Sequence, residues 1–476
     1  MSVRSGLIII LALTLWRVVL LRFDATDLFV DEAQYWLWSQ HLDFGYYSKP
    51  PMIAWVIRAF TALGGSDDIF WIRVAGPIFH AGTALVLMAA ARRFIGPEIA
   101  GWAGVTFVTA PAVALSSVFF STDDILLFFI AIALWAYFGL TERRSVGLAI
   151  VMGAAFGCAF LSKYAVLFLL PGGLVALILV REARIGWRDF FIAVLAAALV
   201  ALPNLWWNLT HDITTVRHTQ DIAHWSKPGL HLAGGIGFFF TQFGVVGPIV
   251  FAAMLWASYR MARGRSEPKE NMLVWLSIPV VLLITLQALI AKAYANWAVT
   301  AYVAGVILAV WVLHRFWPRG LWVSLAINGI VSVLFPIATI FAHDLILPNG
   351  KQALERFLDR AEVSRKASDL ARQAGLRIIV SDDRDITADL FHTLRAERYK
   401  LYAKPPAGFP KSYYEQELAL PADVTEKVLF VTRHAPTCVE EQPETLATWR
   451  PDHGYYKGKT LYAYKIAPAC FAPDIR

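Results

Sequence analysis

The chain has 476 residues, 57% of them apolar and only 17% charged, with a mean hydropathy of +0.53. An ordinary soluble domain is about 45–50% apolar and about 25% charged, so the composition excludes a soluble protein with a single anchor and calls for a membrane-embedded chain. The net charge of +7 comes without a basic stripe interleaved with aromatics. This argues against nucleic acid and fits Lys and Arg kept on the cytoplasmic side of a bilayer.

In chain order, residues 5–23 are an apolar run followed by acidic and aromatic residues rather than a small-residue cleavage site. We read it as an uncleaved first span with its start in the cytoplasm, Arg17 and Arg22 snorkelling near its far end. Next comes DEAQYWLWSQHLDFGYYSKPP, Asp31–Pro51. Helices are expected at Asp31–Gln40 and Pro51–Leu63, the second lying in the interface, opened by Pro50-Pro51 and closed by Gly64-Gly65. Apolar runs near span length follow at 70–90, 98–118, 124–141, 146–161, 164–180, 190–207, 233–257, 272–291, 296–313 and 321–342. With the first, these make about 11 transmembrane helices. The loops this map puts inside each carry at least two basic residues, such as Arg92-Arg93 and Arg143-Arg144, as the positive-inside rule requires.

After about residue 345 the composition becomes polar. Lys351–Ala374 and 385–396 read as helices, and 377–381, 400–403, 427–433 and 460–466 as strands. The alternation predicts a small α/β domain over 345–476, outside the membrane, behind a polytopic domain over 1–344. Of three cysteines, Cys158 lies in an apolar run, while Cys438 and Cys470 can pair if this domain is periplasmic.

Several residues have the chemistry of a group-transfer site. Asp31-Glu32 reads either as a general base for an acceptor hydroxyl or as acids favoured at a helix start. Lys49, stiffened by two prolines, offers a compact charge for a phosphate, or snorkels. Tyr46 and Tyr47 stack on a sugar or sit in an aromatic belt. Asp123-Asp124 begins a span; Thr122 or Asp123 is the expected cap, which leaves one acid without a structural job and open to holding an acceptor or a divalent cation. Lys163, between two apolar runs, is a functional candidate by its position, and Arg73 invites the same question. The stretch 203–225 holds His211, Asp212, Arg217, His218, Asp221 and His224. Arg217 suits a donor phosphate and His211 an acceptor or sugar. The histidine spacing matches no metal motif, so no metal site and no obligatory cofactor is predicted.

The DE pair after the first span, the aromatic loop ending in K-P-P, the interfacial helix and the many-span body resemble the GT-C polytopic glycosyltransferases. The likeness is to family 83, which holds the lipid A aminoarabinose transferases, to protein O-mannosyltransferases, and to rhizobial lipopolysaccharide galacturonosyltransferases. The pieces SKY, WNLTHD and ANW fit the same pattern. The resemblance implies a polyprenyl-phosphate-linked sugar donor, an envelope glycolipid or glycan acceptor, an inverting displacement and a periplasmic active site in the bacterial inner membrane. It makes Asp31 the catalytic acid of the first loop, Lys49 the donor-phosphate lysine, and Asp123 or Asp124 the acid at the mouth of a later span. Ser48 departs from the aminoarabinose transferases, which carry an acid there.

Two rival readings remain at this point. A transporter or flippase of lipid-linked sugars predicts repeat symmetry and broken helices in both halves, which the sequence does not show. A protein O-mannosyltransferase-like enzyme shares the loop but takes a different acceptor.

Overall fold

The structure, a computed structural model, describes residues 1–211, 215, 229–436, 438 and 442–471. The chain forms two compact units. One comprises Met1–Arg22, Asp43–Ser66 and Phe70–Ile337; the other comprises Phe23–Leu42, Asp67–Ile69 and Ala338–Arg476.

The first unit is helical. Among the described residues, six helices are long and apolar enough to cross a membrane: Val3–Leu21, Ile69–Phe94, Thr122–Glu142, Trp187–Thr210, Pro268–Ile290 and Pro318–Ile340. Other expected spans fall on shorter apolar helices, Val146–Ser162, Tyr164–Leu179 and Ala301–Phe316. The 98–118 run is broken into Pro97–Val108 and Pro111–Ser116, because a proline cannot continue the hydrogen-bond ladder. Small residues set the helix crossings, as they do between helices in lipid. A Cβ on Gly6 would lie 2.7 Å from the Gly101 Cα, so Val3–Leu21 and Pro97–Val108 touch backbone to backbone.

Two expectations need correction here. The 233–257 run is not one span but two helices, Leu232–Val246 and Pro248–Ala262, meeting at 117°. Gly247 turns the chain at φ +99°, a region glycine enters without strain. Pro248 then starts the second helix where its missing N–H is harmless. The Asn328 side chain fills the space beside Gly247 and donates to the Val246 carbonyl at 3.2 Å. The second correction is Arg17, which does not snorkel. It is 1% exposed, and its Nη2 donates to the Val108 carbonyl (2.8 Å) and to Ser332 Oγ (2.9 Å).

The second unit carries a five-stranded sheet. Strands β1 (Ile378–Ser381), β2 (Lys400–Ala403), β3 (Val428–Thr432), β4 (Glu444–Trp449) and β5 (Leu461–Ile466) lie in the order β2-β1-β3-β5-β4. β1 is parallel to β2 and β3, and β5 is antiparallel to β3 and β4. Side chains alternate across the sheet. Ile379, Leu429 and Val431 join a core with Val363, Ala367, Ile386 and Leu390. Ile378, Val380, Val428 and Phe430 join another with Tyr464, Ile466 and Phe471. Both faces of β1 and β3 are therefore covered, which is why they read as continuous apolar runs. The expected Lys351–Ala374 helix begins only at Arg360 and runs to Gln373. β4 was not expected from the sequence. Cys438 and Cys470 form a disulfide.

The helix Val30–Gln40 belongs to this second unit and packs on the helix Arg384–Thr393. Trp36 meets the His392 ring edge-on at 4.8 Å and donates from Nε1 to Asp67 Oδ1 (3.0 Å). His392 Nε2 lies 3.0 Å from the Asp67 carbonyl.

Behind that helix, Asp389 is buried and accepts from Ser364 Oγ and from Thr393 Oγ1 (3.0 Å). Burial pushes its carboxyl from 3.8 up to about 6, against the opposing pull of the Ser364 hydrogen bond. The folded state binds this proton more tightly than the unfolded chain does. Its contribution to stability is therefore complete below the ordinary carboxylate range and is lost as pH rises from about 4 to about 6. Asp389→Asn should stabilise the second unit by about 1–3 kcal/mol at pH 7.5 and leave it unchanged at pH 4. Hydrogen exchange in β1 and β3 at the two pH values reads this; equal gains at both would show that the carboxyl does not titrate there.

Candidate functional site

The acids after the first helix part company in the structure. Glu32 is 3% exposed, and its Oε2 accepts from the Phe29 backbone N–H at 2.9 Å. It therefore closes the start of its helix, where an orphan donor needs a partner. Asp31 is half-exposed, and its Oδ1 lies 2.6 Å from Arg384 Nη2. The same guanidinium donates to Gln34 Oε1 from Nε (3.2 Å) and Nη2 (2.9 Å). Of the pair, Asp31 keeps the accessible carboxylate.

The aromatic loop lies in the first unit. Tyr46 and Tyr47 are both 5% exposed and Lys49 is partly buried. The Tyr46 hydroxyl accepts from the Asp43 N–H (3.0 Å), its N–H donates to the Lys49 carbonyl (3.1 Å), and its carbonyl accepts from Thr215 Oγ1 (2.9 Å). The end of the helix Trp187–Thr210 grips the same loop. Trp207 Nε1 donates to Asp43 Oδ2 (2.8 Å), and Asn204 Nδ2 to the Phe44 carbonyl (2.7 Å). Asn204 is itself held by the Tyr164 hydroxyl at 2.7 Å. Gly45 lets this happen, since a Cβ there would lie 2.3 Å from the Trp207 ring. His211 stacks on Trp207 with centroids 4.2 Å apart.

The second pair of acids also divides. Ser121, not Thr122 or Asp123, caps the helix Thr122–Glu142. Asp124 completes that cap, accepting from Ser121 N (3.0 Å) and Oγ (2.8 Å), and its other oxygen lies 2.8 Å from His80 Nε2. Asp124 is thus committed to structure. Asp123 instead joins Lys163 Nζ (2.7 Å, Oδ1) and Asn296 Nδ2 (2.7 Å, Oδ2), three side chains from three separated segments. Arg73 is buried, 5.2 Å from the Phe119 ring centroid.

The family described as dolichyl-phosphate-mannose-protein mannosyltransferase matches residues 48–207. A lipid A galacturonosyltransferase of Rhizobium johnstonii, RgtD, is 69% identical over 99% of this chain and 100% of its own length. From the same organism, the lipopolysaccharide core galacturonosyltransferase RgtA is 26% identical over 37% of this chain and 36% of its own. The crystal structure of ArnT from Cupriavidus metallidurans bound to undecaprenyl phosphate has the same fold, with a TM-score of 0.69 at 17% identity, covering 99% of this chain and 100% of that one. The chain belongs to the family of GT-C membrane glycosyltransferases.

In this glycosyltransferase the loop residues Tyr46, Tyr47 and Lys49 share the first unit with Asp123, Lys163 and His211, while Asp31 and Glu32 lie in the second unit. Arg217 falls outside the described residues, as do Asp212, His218, Asp221 and His224. The sequence reading missed Arg384, Asn296, Trp207 and Asn204 as partners. Asn296 lies in the ANW piece, and Asn204 and Trp207 lie in the 203–225 stretch, so the signals were local. Among the described residues, Asp359, Glu362 and His453 have ligand atoms within 4.8 Å of one another, and none of them was a predicted site residue.

Proposed function

We propose that the enzyme transfers galacturonic acid from a polyprenyl-phosphate donor to lipid A at the periplasmic face of the bacterial inner membrane. The observation that carries this reading is 69% identity, across the whole length of both chains, to a relative named for that acceptor and sugar. ArnT, bound to undecaprenyl phosphate, supports the donor class through its shared fold. In this reading the apolar helices of residues 1–344 span the membrane, and residues 345–476 face the periplasm, as the basic inside loops suggest.

The chemistry follows from the residues. The donor phosphate meets Lys49, with Lys163 and Arg217 as further cations. Tyr46, Tyr47 and His211 border the sugar or acceptor, and Asp123 orients the acceptor. Asp31 takes the proton of the acceptor hydroxyl as its oxygen attacks the anomeric carbon. The bond from that carbon to the phosphate oxygen breaks, the configuration inverts, and lipid phosphate leaves with the electron pair. Lipid phosphate is a good leaving group, so a divalent metal need not be obligatory.

Mass spectrometry of lipid A from cells with and without the gene tests the reading. Loss of one galacturonic acid from lipid A on deletion is the expected result. Loss from a different envelope glycolipid would move the acceptor, and unchanged glycolipids would overturn the assignment.

A further inference from the structure

We propose that Arg384 is a positioning residue for the transfer reaction: it fixes the Asp31 carboxylate on its helix, so a residue from the C-terminal part of the chain governs the aim of the proposed base. This rests on the reading of Asp31 as the base.

Three observations carry it. First, the guanidinium bridges two groups one turn apart on the helix Val30–Gln40, the Asp31 carboxylate at 2.6 Å and the Gln34 amide oxygen at 2.9 Å. Such a planar fork fixes direction as well as charge, which an ammonium does not. Second, Arg384 is itself held. It follows the cap residue Asp383, whose Oδ1 accepts from the N–H groups of Asp385 (2.8 Å) and Ile386 (3.2 Å), while Oδ2 pairs with Arg433 Nε at 2.6 Å. Two turns on, His392 and Asp67 tie down Trp36, so the two helices are fixed at both ends of their contact.

Third, stability does not explain the arginine. A cation in the first turn opposes the helix dipole, which favours acids there. A half-exposed ion pair returns only about 0–1 kcal/mol. The placement makes sense for a carboxylate whose ionisation and aim matter. Burial depresses the Arg384 guanidinium, but the Asp31 charge and hydrogen bond more than offset this and hold it above its ordinary value. Among the described residues, the titratable groups around the pair include Tyr35 and Glu32 on the Asp31 helix, Tyr413 and Tyr414 on the helix Tyr413–Glu417, and Asp383, Asp385 and Arg433.

The test uses the full-length enzyme in nanodiscs, with undecaprenyl-phosphate-galacturonic acid and lipid A, and measures kcat and donor KM against pH. Arg384→Gln should lower kcat about 10-fold with donor KM unchanged, because orientation is lost while binding is not. The acid limb of its kcat profile should move to higher pH, because the carboxylate loses its neighbouring cation. Arg384→Lys should restore the acid limb but only part of kcat. Gln34→Leu should lower kcat with the limb unmoved. Adding Arg384→Gln to Asp31→Asn should cost nothing further. If folded Arg384→Gln keeps the wild-type pH profile while Asp31→Asn is inactive, this inference fails and the base assignment stands. If Asp31→Asn itself transfers sugar at the full rate, the base assignment fails and takes the inference with it.

Discussion

Asp31→Asn should reduce sugar transfer by about 10²–10⁴-fold, the range a positioned general base contributes. Asparagine keeps the shape and can still accept from Arg384 through its amide oxygen, but it cannot take a proton. The side chain is half-exposed and its ion pair with Arg384 is worth little to folding, so the variant should keep its stability. Donor affinity should stay within about two-fold, because the role proposed for Asp31 is to meet the acceptor proton rather than the phosphate. Single-turnover transfer with labelled donor, alongside donor binding to the same preparation, separates the two effects. A folded variant with the wild-type single-turnover rate would remove Asp31 from the chemistry.

Lys163→Met should lose both stability and activity, and the two losses should be separable. Lys163 Nζ lies 2.7 Å from Asp123 Oδ1, with the two side chains 15% and 9% exposed. Removing one member of such a pair leaves a largely buried charge uncompensated, at a cost of about 3–5 kcal/mol. Asn296 would still donate to Asp123, but a neutral amide does not balance the charge. The double variant Asp123→Asn with Lys163→Met removes both charges and should recover most of the stability. Activity should stay at least about 10²-fold down in both, since the cation proposed for the donor phosphate is missing. Thermal unfolding in detergent, with transfer rates, completes the double-mutant cycle. A loss in the double variant equal to the sum of the losses in Lys163→Met and Asp123→Asn alone would show that the pair carries no coupling. Recovered transfer in the double would take Lys163 away from the phosphate.

Most of the apolar helices were legible because they announce themselves by a long apolar run, and β1 and β3 because both of their faces are buried. What the sequence hid has physical causes. β4, ETLATW, is a short edge strand with only two large apolar residues, and its exposure does not alternate cleanly. The bend at Gly247-Pro248 lies inside a run whose hydropathy never drops, so only the backbone chemistry of those two residues marks it. Both acid pairs stood out by composition, yet nothing in DE or DD alone says which member completes the helix cap. Glu32 and Asp124 turn inward to satisfy backbone N–H groups, and Asp31 and Asp123 are left to meet Arg384 and Lys163. Arg384 was hidden for a further reason. Within SDDRD it reads as one more charge at a helix start, and its partner lies 353 residues away.

That separation bears on how the protein is made. The helix carrying Asp31 leaves the ribosome early, but the helix it docks on is encoded in the last quarter of the chain. At about 5–20 residues per second, the interval is roughly 20–70 s. Throughout it, the intervening segments enter the lipid while the acid-bearing helix waits for its docking surface. A polypeptide stopped by a nonsense codon before Ala338 would keep the loop residues of the first unit but would never assemble the second. Under the mechanism proposed above, incomplete copies would thus lack an aligned base.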